Sequence, residues 1–138
     1  MVTGELQDTR IARLRVASIL AGGAAGALAR AGVAEGLPQS GGSWPWATFA
    51  VNLAGAALLA WLATRLDEIV PPSRYARLLF GTGLCGALTT FSTFQIEVLR
   101  LAKDGYPETA AAYAAASLAA GMAIAIAATV AARRRRYG

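Results

Sequence analysis

Leu78 to Ile96 reads LLFGTGLCGALTTFSTFQI, nineteen residues without an acid or a base. Gly81, Gly83 and Gly86 fall in its first half, and Thr89, Thr90, Phe91, Ser92, Thr93 and Phe94 in its second. A helix needs roughly 20 mostly apolar residues to cross a bilayer, which this stretch supplies with its flanks. Each glycine weakens a helix by about 1 kcal/mol relative to alanine. The stretch therefore predicts a spanning helix interrupted at its glycines, and the freed backbone groups must find partners in protein or on an ion.

Working outward, the other runs poor in charge predict spans near 16–34, 44–64 and 109–132, with the third at 78–99 and a basic tail at 133–138. The expected fold class is an all-α membrane protein: one domain over 1–138, four transmembrane helices, and the third broken near mid-membrane. Composition agrees, with 56% hydrophobic and 15% charged residues, where an average soluble domain carries about 25% charged. Mean hydropathy is +0.47. The first apolar run is longer than a signal-peptide core, so it is expected to be retained. With no His and the single Cys85, a zinc site, a Cys/His nucleophile and a disulfide within the chain all lack their parts, and no enzymatic activity is expected.

Four spans would put both termini and the second loop on one side. That side holds Arg10, Arg13, Arg15, Arg65, Arg74, Arg77 and Arg133 to Arg136, ten of thirteen basic residues, against Arg30, Arg100 and Lys103. The positive-inside rule then predicts cytoplasmic termini. Arg133 to Arg136 directly follow a span, which favours a topology anchor at the lipid surface over a nucleic-acid contact. Trp44, Trp46 and Trp61 bracket the second span as interfacial anchors.

Gly81 to Gly86 also matches G-x-G-x-x-G, but no strand precedes it, so dinucleotide binding is rejected in favour of a helix interruption. Gly22, Gly23, Gly26 and Gly55 read as close-packing positions. At about 100° per residue, Phe91 and Phe94 share one helix face and Thr89 and Thr93 the other. Composition alone favours hydroxyls bonded back to the preceding turn, with the rings packed in the core. The mid-span carboxamide of Asn52 demands a partner helix or an aqueous path, and both readings stay open.

Three motifs resemble the CrcB or Fluc fluoride channels. Gly22 to Arg30 (GGAAGALAR) is similar to that family's first-span motif, Thr48 to Gly55 (TFAVNLAG) to its second, and Gly83 to Phe94 (GLCGALTTFSTF) to its third. The resemblance implies a fluoride-selective channel of the bacterial cell membrane that exports fluoride and limits its toxicity, built as an antiparallel homodimer around a central structural sodium ion. Phe91 and Phe94 would be the pore phenylalanines, with Asn52, Ser92 and Thr93 as polar lining. Arg30 would stand near a pore entrance, Tyr113 and Ser117 would face the pore, and Gly86 and Thr89 would bind sodium through backbone carbonyls. The basic-residue bias would equally suit a heterodimer with an oppositely oriented paralogue.

Physical chemistry supports these roles. Fluoride is tightly hydrated, so a pore must replace water's hydrogen bonds with neutral donors that release the anion. A phenyl ring has a positive edge that attracts it. Two rival readings are a small proton-coupled multidrug exporter and a non-transporting scaffold subunit. The exporter needs a membrane carboxylate; Glu97 is the one candidate, and its place near a span end reads as solvated.

Overall fold

The computed structural model describes residues 2–68 and 74–134, and among them every regular element is helical. Helix α1 runs Val2–Gly36, α2 Trp46–Glu68 and α3 Arg74–Ala76. A π-helical segment, Arg77–Cys85, continues directly from α3 into α4 (Gly86–Leu88), and α5 (Phe91–Lys103) and α6 (Pro107–Arg134) follow.

Punctuation residues set the ends. α1 contains no proline, and it stops at Gly36, with Leu37 N–H still bonded to Val33 O at 3.0 Å, because Leu37 precedes Pro38 and is pushed out of the helical region. Pro45 sits just before α2, and its carbonyl accepts from Phe49 N–H at 3.0 Å, a first-turn place where the missing proline N–H costs nothing. At the end of α5, Gly105 adopts φ +89°, and Tyr106 N–H reaches Leu101 O at 2.8 Å. That closure satisfies a helix-end carbonyl and needs a residue without a Cβ. Pro107 then opens α6.

Among the described residues, three helices are long and apolar enough to cross a membrane: Gln7–Gly36, Trp46–Leu66 and Pro107–Arg134. The third hydrophobic stretch is divided between residues 74–88 and the 13 residues of α5, each short of the roughly 20 needed for a span. The division is not at the glycines, as the sequence suggested. Winding passes through Gly81, Gly83 and Gly86, in the wider π form as far as Cys85. It stops at Thr89 (φ −80°, ψ 153°) and Thr90 (φ −148°, ψ 118°). The glycines instead serve packing, which repays their weak helix propensity.

α1 and the π-helical segment run in the same direction, backbone against backbone. A Cβ on Gly22 would overlap the Leu79 carbonyl, one on Gly26 the Leu84 carbonyl, and one on Gly83 would lie 2.7 Å from Ile19 O. In lipid, helix association relies on such close approach. α2 runs antiparallel to this pair, with Asn52 beside Thr90 and the Arg77 guanidinium donating to Leu66 O at 3.3 Å. α6 packs along α2 and α5. The interior cluster is small, Leu101, Ala110 and Tyr113 with Trp44, Phe49, Phe94 and Val98 around it. Leu20, Leu28, Leu118 and Met122 lie on the outside, each about two-thirds exposed or more. Small residues where α1 meets the π-helical segment and large apolar ones outside suit lipid as solvent.

Adding a methyl at Gly22 forces α1 off the π-helical segment. Gly22→Ala should cost about 1–3 kcal/mol. Gly23→Ala, where an added Cβ meets nothing within 4 Å, should be neutral or stabilising by up to about 1 kcal/mol. Thermal unfolding of both variants in detergent checks this, and equal midpoints would contradict the contact.

Candidate functional site around the helix break

A chain that stops winding inside a membrane exposes peptide groups. Here α2 meets that need with one side chain. Asn52 Nδ2 donates to Thr90 O at 3.1 Å, and Thr90 N–H donates to Asn52 Oδ1 at 2.8 Å. The carboxamide replaces a peptide group, as its one acceptor and paired donors allow. Thr90 is buried at 9% exposure, so this pair is worth more than one at a wet surface. Of the two readings left open for Asn52, the structure gives it a partner within the chain.

Thr90 also starts α5. Its Oγ1 accepts from Thr93 N–H at 3.2 Å and donates to Thr93 Oγ1 at 3.0 Å, with Ser92 Oγ at 3.4 Å. This is a helix N-cap, which satisfies a donor left over in the first turn. Thr89 turns the other way: its N–H and its Oγ1 both reach Cys85 O, at 3.1 Å and 2.9 Å. The expectation that Thr89 and Thr93 share a helix face fails because the break lies between them.

These bonds leave two carbonyls without their helical donors. Thr90 N–H, the partner Gly86 O would have in a continuous helix, is spent on Asn52. Thr93 N–H, the corresponding partner of Thr89 O, is spent on Thr90 Oγ1. Gly86 is exposed and a Cβ there would meet nothing within 4 Å. Both residues line a cleft of about 500 Å³ with Asn52, Gly55, Thr90 and Phe91. Among the described residues no group of three His, Cys, Asp or Glu could hold a metal. Neutral carbonyl oxygens are donors of the kind a hard monovalent cation accepts.

From the break, α5 carries the rings. Phe91 and Phe94 stack at 6.0 Å between centroids and 28° between planes, as their shared face predicted. Phe91 is 69% exposed, while Phe94 is half-buried and lies 5.2 Å from the Tyr113 ring. Tyr113 itself is fully buried, and its hydroxyl donates to Glu97 Oε2 at 2.8 Å. Thr48 donates to Glu97 Oε1 at 2.7 Å. The solvated reading of Glu97 is thus corrected: the carboxylate is half-buried and clasped by α2 and α6. Tyr113, expected to face a pore, spends its hydroxyl on that carboxylate.

Arg30, half-buried, lines a second cleft of about 470 Å³ with Gln39, Thr48, Thr90, Thr93 and Glu97. Thr93 accepts from Thr90, so its own O–H is left to serve this cleft. The structure therefore brings Asn52, Ser92, Thr93, Phe91 and Phe94 to the break, and sets Arg30 beside Thr93. Ser117 stands apart on α6, its Oγ buried with no hydrogen-bond partner. Sequence reasoning missed Thr90 and Thr48. The N-cap preference for Thr before a new helix marks the first; nothing in the local pattern marks the second.

Fold and site together define an all-helical membrane protein whose centre is a capped helix break flanked by hydroxyls and phenyl rings. Residues 17–129 match the family described as CrcB-like protein, Camphor Resistance (CrcB), and the chain belongs to this family. It is 47% identical over 121 residues to fluoride-specific ion channel FluC 1 of Mycobacterium bovis, covering 88% of this chain and 92% of that one. It is also 47% identical over 103 residues to fluoride-specific ion channel FluC of Chlorobaculum tepidum (75% and 82%), and 39% identical over 119 residues to FluC 1 of Streptomyces coelicolor (86% and 77%).

Removing the Asn52 carboxamide strands the Thr90 N–H and takes one donor from the Thr90 carbonyl, which as the N-cap keeps its bond to the first turn of α5. Asn52→Ala should destabilise the protein by about 1–3 kcal/mol and speed exchange of the Thr90 amide by about ten- to a hundredfold. Hydrogen exchange read by mass spectrometry or NMR checks it; unchanged protection would show that Thr90 is held otherwise.

Proposed function

We propose that this chain is a subunit of a fluoride-selective channel in a bacterial cell membrane, which lets fluoride leave the cytoplasm and so limits its toxicity. The observation that carries the reading is the convergence at one helix break of neutral donors, Ser92 and Thr93, with the stacked pair Phe91 and Phe94. A small anion must be stripped of water to enter such a place. Neutral O–H groups replace its hydration without trapping it, and ring edges add a weak positive field. Arg30 raises the anion concentration at the mouth.

The third stretch crosses the membrane as two arms, residues 74–88 and α5, so that the chain has four passes. Two antiparallel copies complete the pathway. Support comes from Phe91, whose ring stacks on Phe94 on one side and is otherwise exposed at the depth of the break. Gly86 and Thr89 would hold a sodium ion through their carbonyls, and its charge would offset the dipoles the break leaves inside the protein. A second reading concerns the partner alone. The strong basic bias of one end favours a fixed orientation, which would make the partner an inverted paralogue.

Liposomes containing this chain alone should release fluoride and retain chloride, as followed with ion-selective electrodes. Phe94→Ile should lower fluoride release about tenfold or more, the equivalent of losing ring-edge attraction of about 1.5 kcal/mol. Efflux from the wild type with none lost in Phe94→Ile would remove the ring from the mechanism. A well-folded dimer that passes no fluoride would favour the scaffold or exporter reading. Exchanging sodium for N-methylglucamine should lower the thermal midpoint of the dimer; an unchanged midpoint would count against the ion.

A further inference from the structure

Trp44 lies just before α2 and has no part in the pathway described so far. Its Nε1 is buried and has no hydrogen-bond partner. Buried donors are almost always paired, and one left alone costs stability, so an unpartnered indole N–H marks a place where an acceptor arrives. The surroundings say which kind. The Trp44 ring stands nearly perpendicular to Phe49 (5.6 Å, 82°) and to Tyr113 (5.4 Å, 81°). A water molecule among such rings would bring two O–H donors and needs two to four polar partners. An anion needs donors only.

Trp44 is also in line with the break. Phe91 touches Phe94 at 6.0 Å, Phe94 touches Tyr113 at 5.2 Å, and Tyr113 touches Trp44 at 5.4 Å. Tyr113 cannot supply the donor, because its hydroxyl is held by Glu97. One helical turn on from Tyr113, the Ser117 hydroxyl is likewise buried and unpartnered. Two buried donors are therefore unused, one on a ring that meets Tyr113 and one a helical turn further along α6.

We infer that the Trp44 indole N–H is a fluoride ligand, a donor station where the line of rings ends near the loop between α1 and α2. The inference rests on the channel reading. Indole donates one hydrogen bond, accepts none and carries no charge, so it holds a desolvated anion briefly and lets it go. The competing account is an N–H directed at the face of a perpendicular ring, a weak bond that would satisfy the donor with no ligand.

The test uses the reconstituted full-length dimer with ¹⁵N-labelled tryptophan, its three indole N–H resonances assigned through Trp46→Phe and Trp61→Phe. Sodium fluoride should move the Trp44 indole proton downfield and saturably, and sodium chloride should not. Trp44→Phe should lower fluoride efflux about tenfold with the dimer intact, the scale of one lost hydrogen bond, while Trp46→Phe leaves it unchanged. An upfield Trp44 proton that ignores fluoride would place the N–H on a ring and overturn the inference, as would wild-type efflux from Trp44→Phe. Both leave the channel reading standing if the wild type conducts. A wild type without fluoride efflux would overturn the channel reading and this inference with it. If Trp44→Phe does not fold, the wild-type titration decides alone.

Discussion

The paired hydrogen bonds between Asn52 and Thr90 make the rest of the structure possible. Inside hydrocarbon, an unmatched N–H or C=O costs several kcal/mol, so a chain cannot stop winding there unless something takes the helix's place. A carboxamide can do so because it presents the same donor and acceptor as a peptide. Coming from α2, it also ties that helix to the junction of the two arms. Once Thr90 is held, its hydroxyl is free to cap α5, and the cap sets the phase in which Phe91, Ser92, Thr93 and Phe94 leave the axis. The positions of the rings and hydroxyls in the first turn of α5 follow from that one contact.

Much of this was legible in the sequence, because lipid imposes long apolar runs and small residues at helix contacts. The apolar helices, the close-packing glycines Gly22 and Gly26, and the shared face of Phe91 and Phe94 all follow from period and composition. The place of the break was not legible. Glycine propensity pointed to Gly81 to Gly86, but a winding change from α to π leaves no side-chain signature, and α1 steadies the glycine-rich part by packing on it. Two extended threonines break the helix instead, and their stability depends on an asparagine 38 residues away. Glu97 misled for a similar reason. It looked solvated near a span end, whereas its partner Tyr113 lies 16 residues away and on a different helix.

The distribution of exposure bears on assembly. Along the helices, Leu20, Leu28, Leu118, Met122 and Ile126 are exposed, and lipid tails cover such side chains without loss. The neighbourhood of the break differs: Ser92 is exposed beside the 69% exposed Phe91, and Gly86 presents backbone at the surface. Lipid covers such groups poorly, since a carbonyl and a hydroxyl facing tails have no partner. A proposed second copy would cover them with its own break and convert a costly patch into an interface. On this view the polar groups that conduct are also the groups that make a lone subunit unfavourable.

Glu97 separates the proposed channel from the proton-coupled exporter. An exporter must load and unload a proton and a cation at the same carboxylate, which requires that carboxylate to exchange partners during each cycle. Here Thr48 on α2 and Tyr113 on α6 each hold one oxygen, at 2.7 Å and 2.8 Å. Releasing Tyr113 would leave a fully buried phenol without an acceptor and loosen the ring cluster around it, a cost of about 1–3 kcal/mol at each turnover. The carboxylate is thus spent on joining α2, α5 and α6. Arg30 lines the same cleft as Glu97, so the acid does not stand there without a cation on the approach that the proposed anion would take.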